Sequence, residues 1–258
     1  MPKLTVLVPC YNNEDILRDC LDSVKWADEI LVVDSGSTDR TREIAAEYTT
    51  RILVHPYENS AAQKNWAIPQ ATHEWVMVID TDERATPELQ REIQTLLATE
   101  PPLDAYAIWR LNHFFGIAIR RCGWERDDVI RIFRRDLRYH QRHVHADIAV
   151  DAARVGHLRG RLLHYTYNTF DQYFEKFSRY TTWSAKDLLA EGARPTAINL
   201  LGRPMWRFFR QFILRQGFRD GIPGLILCGL AAVSVFTKYA KLWGMLRDRE
   251  RGGKDGAS

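Results

Sequence analysis

The 258-residue chain is 45% hydrophobic and 27% charged, the balance of an ordinary globular protein long enough for one large α/β domain or a domain with an appendage. Its four cysteines, Cys10, Cys20, Cys122 and Cys228, are scattered without metal-type spacing, which argues against a disulfide frame and for reduced thiols in a cytosolic protein. The net charge of +3 is unevenly spread: residues 194–251 hold 11 Lys/Arg against 3 Asp/Glu, a balance of +8, and the tail after them is neutral, so residues 1–193 carry −5. A basic C-terminal segment on a mildly acidic body is expected to face something anionic. The start "MPKLTVLVPCYNN" lacks the positively charged region and apolar run of a signal peptide.

The first hundred residues alternate as βαβ units do. "LTVLVPC", "EILVVD", "RILVHPY" and "EWVMVID" are short apolar runs, each followed by a polar segment with helical spacing of apolar residues. Thr86 and Pro87 open "TPELQREIQTLLAT" as N-cap and first helical residue. Runs apolar on both faces predict a parallel sheet covered by helices on each side. After the "EPPLD" break, "AYAIWRLNHFFG", "DDVIRIFRRD" and "GRLLHYTY" are strand-like. A long helix is expected from Asp171 to the Gly192–Pro195 break.

Ligands of open α/β sheets bind beyond the carboxyl ends of the strands, and "WVMVIDTDER" ends there in Asp80, Asp82 and Glu83. Read as extended chain, Asp80 and Asp82 point to one side. Their repulsion is relieved by a hard divalent cation, Mg²⁺ or Mn²⁺, which would also bridge phosphate oxygens; the alternative is that they cap the next helix. Asp34 ends "ILVVD" before the turn "SGSTD". There it either accepts hydrogen bonds from a base or ribose or braces the turn.

"TVLVPCYNNEDILRDCLDSV", "ADEILVVDSGSTDRT", "QKNWAI" and "WVMVIDTDE", continued by "RLNHFFGIAIRRCGW", "RIFRRD", "VHADIAV", "LLHYTY" and "FRDGIPG…KYAKL", resemble the inverting GT-A glycosyltransferases of family 2. Within that family they are similar to the bacterial lipopolysaccharide-core subfamily of inner-core β-1,4-glucosyltransferases. The resemblance implies a GT-A fold: a Rossmann-like, mostly parallel α/β sheet with helices on both faces, plus C-terminal amphipathic and apolar helices. It implies a nucleotide-sugar-binding half over 1–100, an acceptor-binding half over 101–192, and a helical membrane-associating region over 193–258. Pro9, Tyr11, Glu14, Asp34, Lys64 and Asp80 would hold a UDP- or ADP-linked sugar. Asp80 and Asp82 would hold Mg²⁺ or Mn²⁺ on the diphosphate, with His164 as a further ligand. Trp124 and Arg131 would meet the acceptor, Arg131 by forking onto its acidic groups; Arg134 reads as a surface salt bridge.

An inverting transfer needs a base for the acceptor hydroxyl. The subfamily pattern "VHE" is here Val144-His145-Ala146 followed by Asp147, so Asp147, Asp127 and Asp128 are the candidates. His140, His143 and His145 cluster nearby, but no cysteine accompanies them and a zinc site is not expected.

Wound as a helix, "RPMWRFFRQFILRQGFRDG" puts Met205, Trp206, Phe208, Phe209, Phe212 and Ile213 on one arc, with Arg203, Arg207, Arg210, Gln211 and Arg215 opposite. An aromatic face backed by arginines suits a membrane interface. The apolar run 222–236 has 15 residues, short of the roughly 20 that span a bilayer. The expectation is a peripheral enzyme on the cytoplasmic face of the inner membrane that glycosylates a lipid-linked glycan, binds no nucleic acid, and has C-terminal helices through which it would form a homo-oligomer. The rival readings are a polyprenyl-phosphate sugar synthase, a nucleotidyltransferase and a non-catalytic membrane scaffold.

Overall fold

In the computed structural model, which describes residues 2–125, 127–140, 147–167 and 169–255, "LTVLVPC" forms the strand β1 (Leu4–Cys10), buried along nearly its whole length. The helix α1 (Leu17–Val24) leads to β2 (Glu29–Asp34), and α2 (Thr41–Ala46) leads to β3 (Ile52–Val54). Next, α3 (Ser60–Ala67), N-capped by Asn59, leads to β4 (Trp75–Val78). These four strands are parallel: β2 and β4 flank β1, and β3 lies outside β2. β4 shows why such runs are apolar at every position. Trp75, Met77 and Ile79 pack into one layer with Leu17, Leu21, Leu89 and Ile93, whereas Val76 and Val78 pack into the other with Ile68 and Phe133. Both faces of the strand are covered by protein.

Beyond β4 come the short β5 (Glu83–Ala85), the helix α4 (Pro87–Leu97), and the strands β6 (Ala105–Phe114), β7 (Ile117–Ala118), β8 (Asp128–Arg134) and β9 (Val155–Tyr167). Thr86 caps α4 by accepting the Leu89 N–H at 3.2 Å. β8 runs antiparallel to β4 and to β6, and β5 runs antiparallel to β9. Among the described residues the order across the sheet is β3-β2-β1-β4-β8-β6-β9-β5, with β7 paired to β6.

The chain divides into two compact units, one of residues 1–111 and 126–165 and the other of residues 112–125 and 166–258. The first contains the layered α/β core. The second is helical, with α5 (Phe170–Ala190), α6 (Arg203–Phe209) and α7 (Gly221–Asp255). Its core gathers Phe114, Ile119, Cys122, Tyr173, Leu227 and Cys228.

The aromatic arc that runs from α6 into residues 210–214 is split in two. Phe208 and Phe212 stack on each other at 5.2 Å and join that core, while Met205, Trp206 and Phe209 stay exposed. Gln211, read as part of the polar face, is buried, and its Nε2 donates to the Cys122 carbonyl at 3.0 Å. The apolar run 222–236 is part of one continuous 35-residue helix, long and apolar enough to cross a membrane by length and composition. Lysine at 241 does not break that helix, because its ammonium donates to the Ser178 carbonyl and to the Thr181 and Thr182 hydroxyls on α5 at 2.7–3.0 Å.

Candidate active site

The stretch after β4 is not extended. Residues 80–83 form a tight turn closed by the Glu83 N–H donating to the Asp80 carbonyl at 2.9 Å. This replaces the two-residue alternation expected from the sequence and gives each carboxylate its own surroundings. Asp80 meets two cations: Lys64 Nζ lies 3.0 Å from Oδ1 and Arg131 Nη2 lies 2.6 Å from Oδ2. Lys64 comes from α3 and Arg131 from the middle of β8, the antiparallel neighbour of β4. Both cations are buried, at 7% and 5% exposed, whereas the Asp80 side chain keeps 34% of its surface open.

Glu83 is fully buried and closes the cluster from below. Its Oε1 takes Arg131 Nη2 at 2.5 Å and Arg110 Nη1 at 3.4 Å, and its Oε2 accepts the Asp80 N–H at 3.1 Å. Arg110, on β6, in turn grips Asp127 with Nε and Nη2 at 3.1 and 2.7 Å. Three cations thus alternate with three carboxylates along one chain of contacts. For Lys64, Asp80 and Arg131 burial disfavours the charge, but pairing outweighs it. The Lys64 ammonium is raised by Asp80, and the Arg131 guanidinium is raised by Asp80 and Glu83. The Asp80 carboxyl is held far below the usual carboxylate range by Arg131 and Lys64. Arg131 Nε and the Tyr139 hydroxyl are buried without a hydrogen-bond partner among the described residues. Lys64 Nζ sits 5.6 Å from the centre of the Tyr139 ring.

Asp82 faces a different neighbour. The β5–β9 register sets Glu83 opposite His164, and His164 Nε2 lies 3.5 Å from Asp82 Oδ2. The Tyr165 N–H donates to the Asp82 carbonyl at 2.8 Å. One carboxylate and one imidazole, both partly exposed, are the side chains that would hold a divalent cation here, with phosphate oxygens and water completing its shell. Among the described residues no group of three or more His, Cys, Asp or Glu side chains forms a self-sufficient metal cage.

The loops after β1 and β2 interlock beside this site. Asn12 adopts a left-handed φ of 48°, which asparagine tolerates better than most residues. Its N–H donates to Ser37 Oγ at 2.9 Å and its Oδ1 accepts the Thr38 N–H at 2.8 Å. Asn13 Oδ1 accepts both the Tyr11 N–H and the Thr81 hydroxyl, at 3.0 and 3.1 Å, tying the β1 loop to the residue between Asp80 and Asp82. Tyr11 and Glu14 are exposed on this loop, and Glu14 accepts the Arg40 N–H at 3.0 Å. Pro9 is paired with Val33 inside the sheet.

Asp34 is fully buried. Its carboxylate accepts the Gly36 and Ser37 N–H groups at 3.0–3.2 Å and the Ser37 hydroxyl. Of the two roles open for Asp34, bracing the turn is the one this geometry displays. The Cys10 thiol beside it is pushed up, first by burial and then by Asp34, so it stays protonated.

Of the base candidates, Asp127 is in the Arg110 grip and Asp128 is exposed at the start of β8. Asp147 is exposed next to an antiparallel bridge between Tyr139 and Ile148. His143 and the Val144-His145-Ala146 segment lie outside the described residues. Trp124 belongs to the second unit and packs in its apolar core. Arg134 pairs with Glu74, Glu100 and Asp104 at the surface. Neither Arg110 nor the partners of Glu83 could be picked out from the sequence, because their pairing depends on which strands become neighbours.

The chain matches the family described as "Glycosyl transferase family 2" over residues 5–158. It is 30% identical to the lipopolysaccharide core biosynthesis glycosyltransferase LpsC of Rhizobium meliloti, covering 94% of this chain and 93% of that one. It is 28% identical to the uncharacterized glycosyltransferase RT0209 of Rickettsia typhi, covering 94% and 87%. A solved structure of glucosyl-3-phosphoglycerate synthase from Mycobacterium tuberculosis with Mn²⁺, UDP and glucosyl-3-phosphoglycerate is similar over 43% of this chain and 44% of that one, at 21% identity and a TM-score of 0.36. With a GT-A-type α/β layer and strand-end carboxylates in place, the chain belongs to glycosyltransferase family 2.

Proposed function

We propose that this glycosyltransferase moves a sugar from a UDP- or ADP-linked donor onto a lipid-linked glycan of the lipopolysaccharide-core type, with inversion at the anomeric carbon and with Mg²⁺ or Mn²⁺ bound. The observation that carries the reading is the strand-end pair: Asp80 is locked by Lys64 and Arg131, and Asp82 lies beside His164. Locked from behind, Asp80 still presents a third of its side chain to a ligand hydroxyl. Asp82 and His164 would hold the cation, which when bound neutralises charge on the departing diphosphate. Lys64, the unpartnered Arg131 Nε–H and the Tyr139 hydroxyl add donors for ligand oxygens.

In this reading Asp147 takes the proton of the acceptor hydroxyl as that oxygen bonds to the anomeric carbon. The bond from that carbon to the diphosphate breaks on the opposite face, and the nucleoside diphosphate leaves with the electron pair. Asp147 is preferred over Asp127, whose two oxygens are engaged by Arg110, and over Asp128.

A lipid-linked acceptor and attachment to the cytoplasmic face of the inner membrane are supported by the second unit. Trp206, Phe209, Phe218, Ile222 and Trp243 are exposed there, only 17% of the apolar window of its last helix is buried, and residues 194–251 carry +8. Exposed aromatic and aliphatic side chains mixed with arginines suit an anionic lipid interface. The name of the R. meliloti relative, which refers to lipopolysaccharide core biosynthesis, favours the same acceptor class.

The test is a panel of UDP- and ADP-sugars with Mn²⁺, assayed for nucleotide release with and without lipopolysaccharide-core acceptors and polyprenyl phosphate. Release stimulated by a core acceptor is expected. Stimulation only by polyprenyl phosphate would replace the acceptor assignment, and no release with any donor would refute the donor assignment.

A further inference from the structure

Lys64 and Asn65 are consecutive residues of α3 that serve two different parts of the first unit. Lys64 reaches Asp80. Asn65 reaches the backbone of Tyr139, accepting its N–H at Oδ1 (2.7 Å) and donating from Nδ2 to its carbonyl (2.9 Å). That backbone belongs to a two-stranded neck. The Ala149 N–H donates to the Arg138 carbonyl at 2.8 Å and the His140 N–H donates to the Asp147 carbonyl at 2.9 Å, on either side of the Tyr139–Ile148 bridge.

In an antiparallel pair of this kind the bridged residues exchange no hydrogen bond, so the N–H and C=O of Tyr139 point outward and need another partner. Asn65 supplies both halves of that partner and stands in for one residue of a third strand. The Tyr139 ring is fixed as well, edge-on to Phe133 with ring centres 6.0 Å apart and under the Lys64 ammonium at 5.6 Å. Lys64, Asn65 and Tyr139 therefore bind the Asp80 cluster and the Asp147 neck to one helix.

We propose that Asn65 is a positioning residue that couples occupation of the nucleotide-diphosphate site at Lys64 and Asp80 to the placement of Asp147, the residue that meets the acceptor hydroxyl. The inference rests on the reading of Asp147 as the base, and its role in transfer fails with that reading; the mechanical coupling itself does not. Binding at Lys64 and Asp80 restrains α3, and the Asn65 amide transmits that restraint to the neck. A displacement of about 1 Å at a base is enough to lower a transfer rate by about 100-fold.

The experiment follows backbone amide exchange at Tyr139, His140 and Ala149 with UDP or ADP plus Mn²⁺, in the full chain and in Asn65→Ala. In the wild type the nucleotide is expected to slow exchange at all three amides. In Asn65→Ala the Tyr139 amide should exchange about 10-fold faster, the net worth of one lost hydrogen bond. The nucleotide-linked slowing should vanish, and nucleotide affinity should stay within about 3-fold, because the Asn65 side chain bonds the Tyr139 backbone and neither the Lys64 ammonium nor Asp80. A kcat loss near 100-fold at unchanged donor KM completes the expected pattern.

Retained nucleotide-linked protection in Asn65→Ala would overturn the proposal, as would an affinity loss that matches the rate loss. If Asn65→Ala does not fold, Asn65→Asp keeps the acceptor for the Tyr139 N–H and removes the donor to its carbonyl. It must then lose the nucleotide-linked slowing at His140 and Ala149 while Tyr139 stays protected, or the proposal fails. Asp147→Asn separates the two layers: full transfer activity there refutes the base reading, whereas the amide coupling is judged on Asn65 alone. Failure of both UDP and ADP to bind would refute the donor site and the coupling together.

Discussion

Replacing Arg131 with methionine removes a side chain that pairs with both Asp80 and Glu83. Methionine fills similar apolar volume, so the effect is electrostatic more than steric. Asp80 keeps Lys64 at 3.0 Å, but the fully buried Glu83 is left with Arg110 at 3.4 Å and the Asp80 N–H. Breaking a buried ion pair by deleting one partner costs about 3–5 kcal/mol, because a buried charge is left uncompensated. For a unit of this size the melting temperature should then fall by on the order of 10 °C. Urea unfolding of Arg131→Met, Glu83→Gln and the double variant tests the origin of the loss. With both side chains neutral, Asp80 still has Lys64 and Arg110 still has Asp127. The double variant should therefore be less destabilised than the sum of the two singles, by about 1–3 kcal/mol. An Arg131→Met loss below about 1 kcal/mol, or strictly additive losses, would refute the view of the cluster as a coupled buried network.

The Asp80 carboxyl is depressed in the folded state, against the opposing effect of burial, by Arg131 and Lys64, so its contribution to stability is complete above the ordinary aspartate pKa near 3.9 and is lost as pH falls below it. Stability measured from pH 8 down to 5 should show no loss from this group, with a steep loss below about pH 4; an earlier loss near pH 6 that disappears in Asp80→Asn would contradict the assignment. The Lys64 ammonium is raised, by Asp80 against the effect of burial. Its contribution is present below about pH 10.4 and is lost as pH rises further, so Lys64→Met should flatten the alkaline limb of the stability curve. Trp206→Glu with Phe209→Glu, two exposed positions on α6, should lower binding to vesicles containing anionic phospholipid by at least about 10-fold in a sedimentation assay while leaving the first unit folded. Unchanged vesicle binding would remove those residues from the interface, and a wild-type protein that instead dimerises without binding vesicles would assign the apolar surface to a second copy.

What the sequence made visible was the part governed by local pattern. The runs "LTVLVPC", "EILVVD" and "WVMVID" are apolar at consecutive positions because their strands are covered on both faces, and Thr86-Pro87 marks a helix start that the chain uses. Asp80 and Asp82 were visible as strand-end carboxylates. Their separate partners were not, because residues 80–83 form a turn, and the arginines that pair with Glu83 come from other strands. Arg110 and Arg131 lie 27 and 48 residues from Glu83, a separation over which no periodicity operates. The Asn65 clamp was hidden for the same reason, since its value follows from the outward-facing backbone of a residue 74 positions away. The last helix was underestimated in length because the apolar run ends at 236, before Lys238, whereas α7 continues past it and α5 supplies oxygen acceptors for Lys241.

The proposed role of Asp82, with His164, is to hold the divalent cation against a nucleoside diphosphate. Calorimetric titration of UDP and ADP into the wild type and Asp82→Asn, with Mn²⁺ and with chelator, tests it without needing the acceptor. The wild type should bind one of the two nucleotides at least about 10-fold more tightly with Mn²⁺ than with chelator, and Asp82→Asn should bind it with the weaker affinity in both conditions while keeping the wild-type melting temperature within about 3 °C. Equal, Mn²⁺-enhanced affinity in both proteins would contradict the assignment of the cation to Asp82.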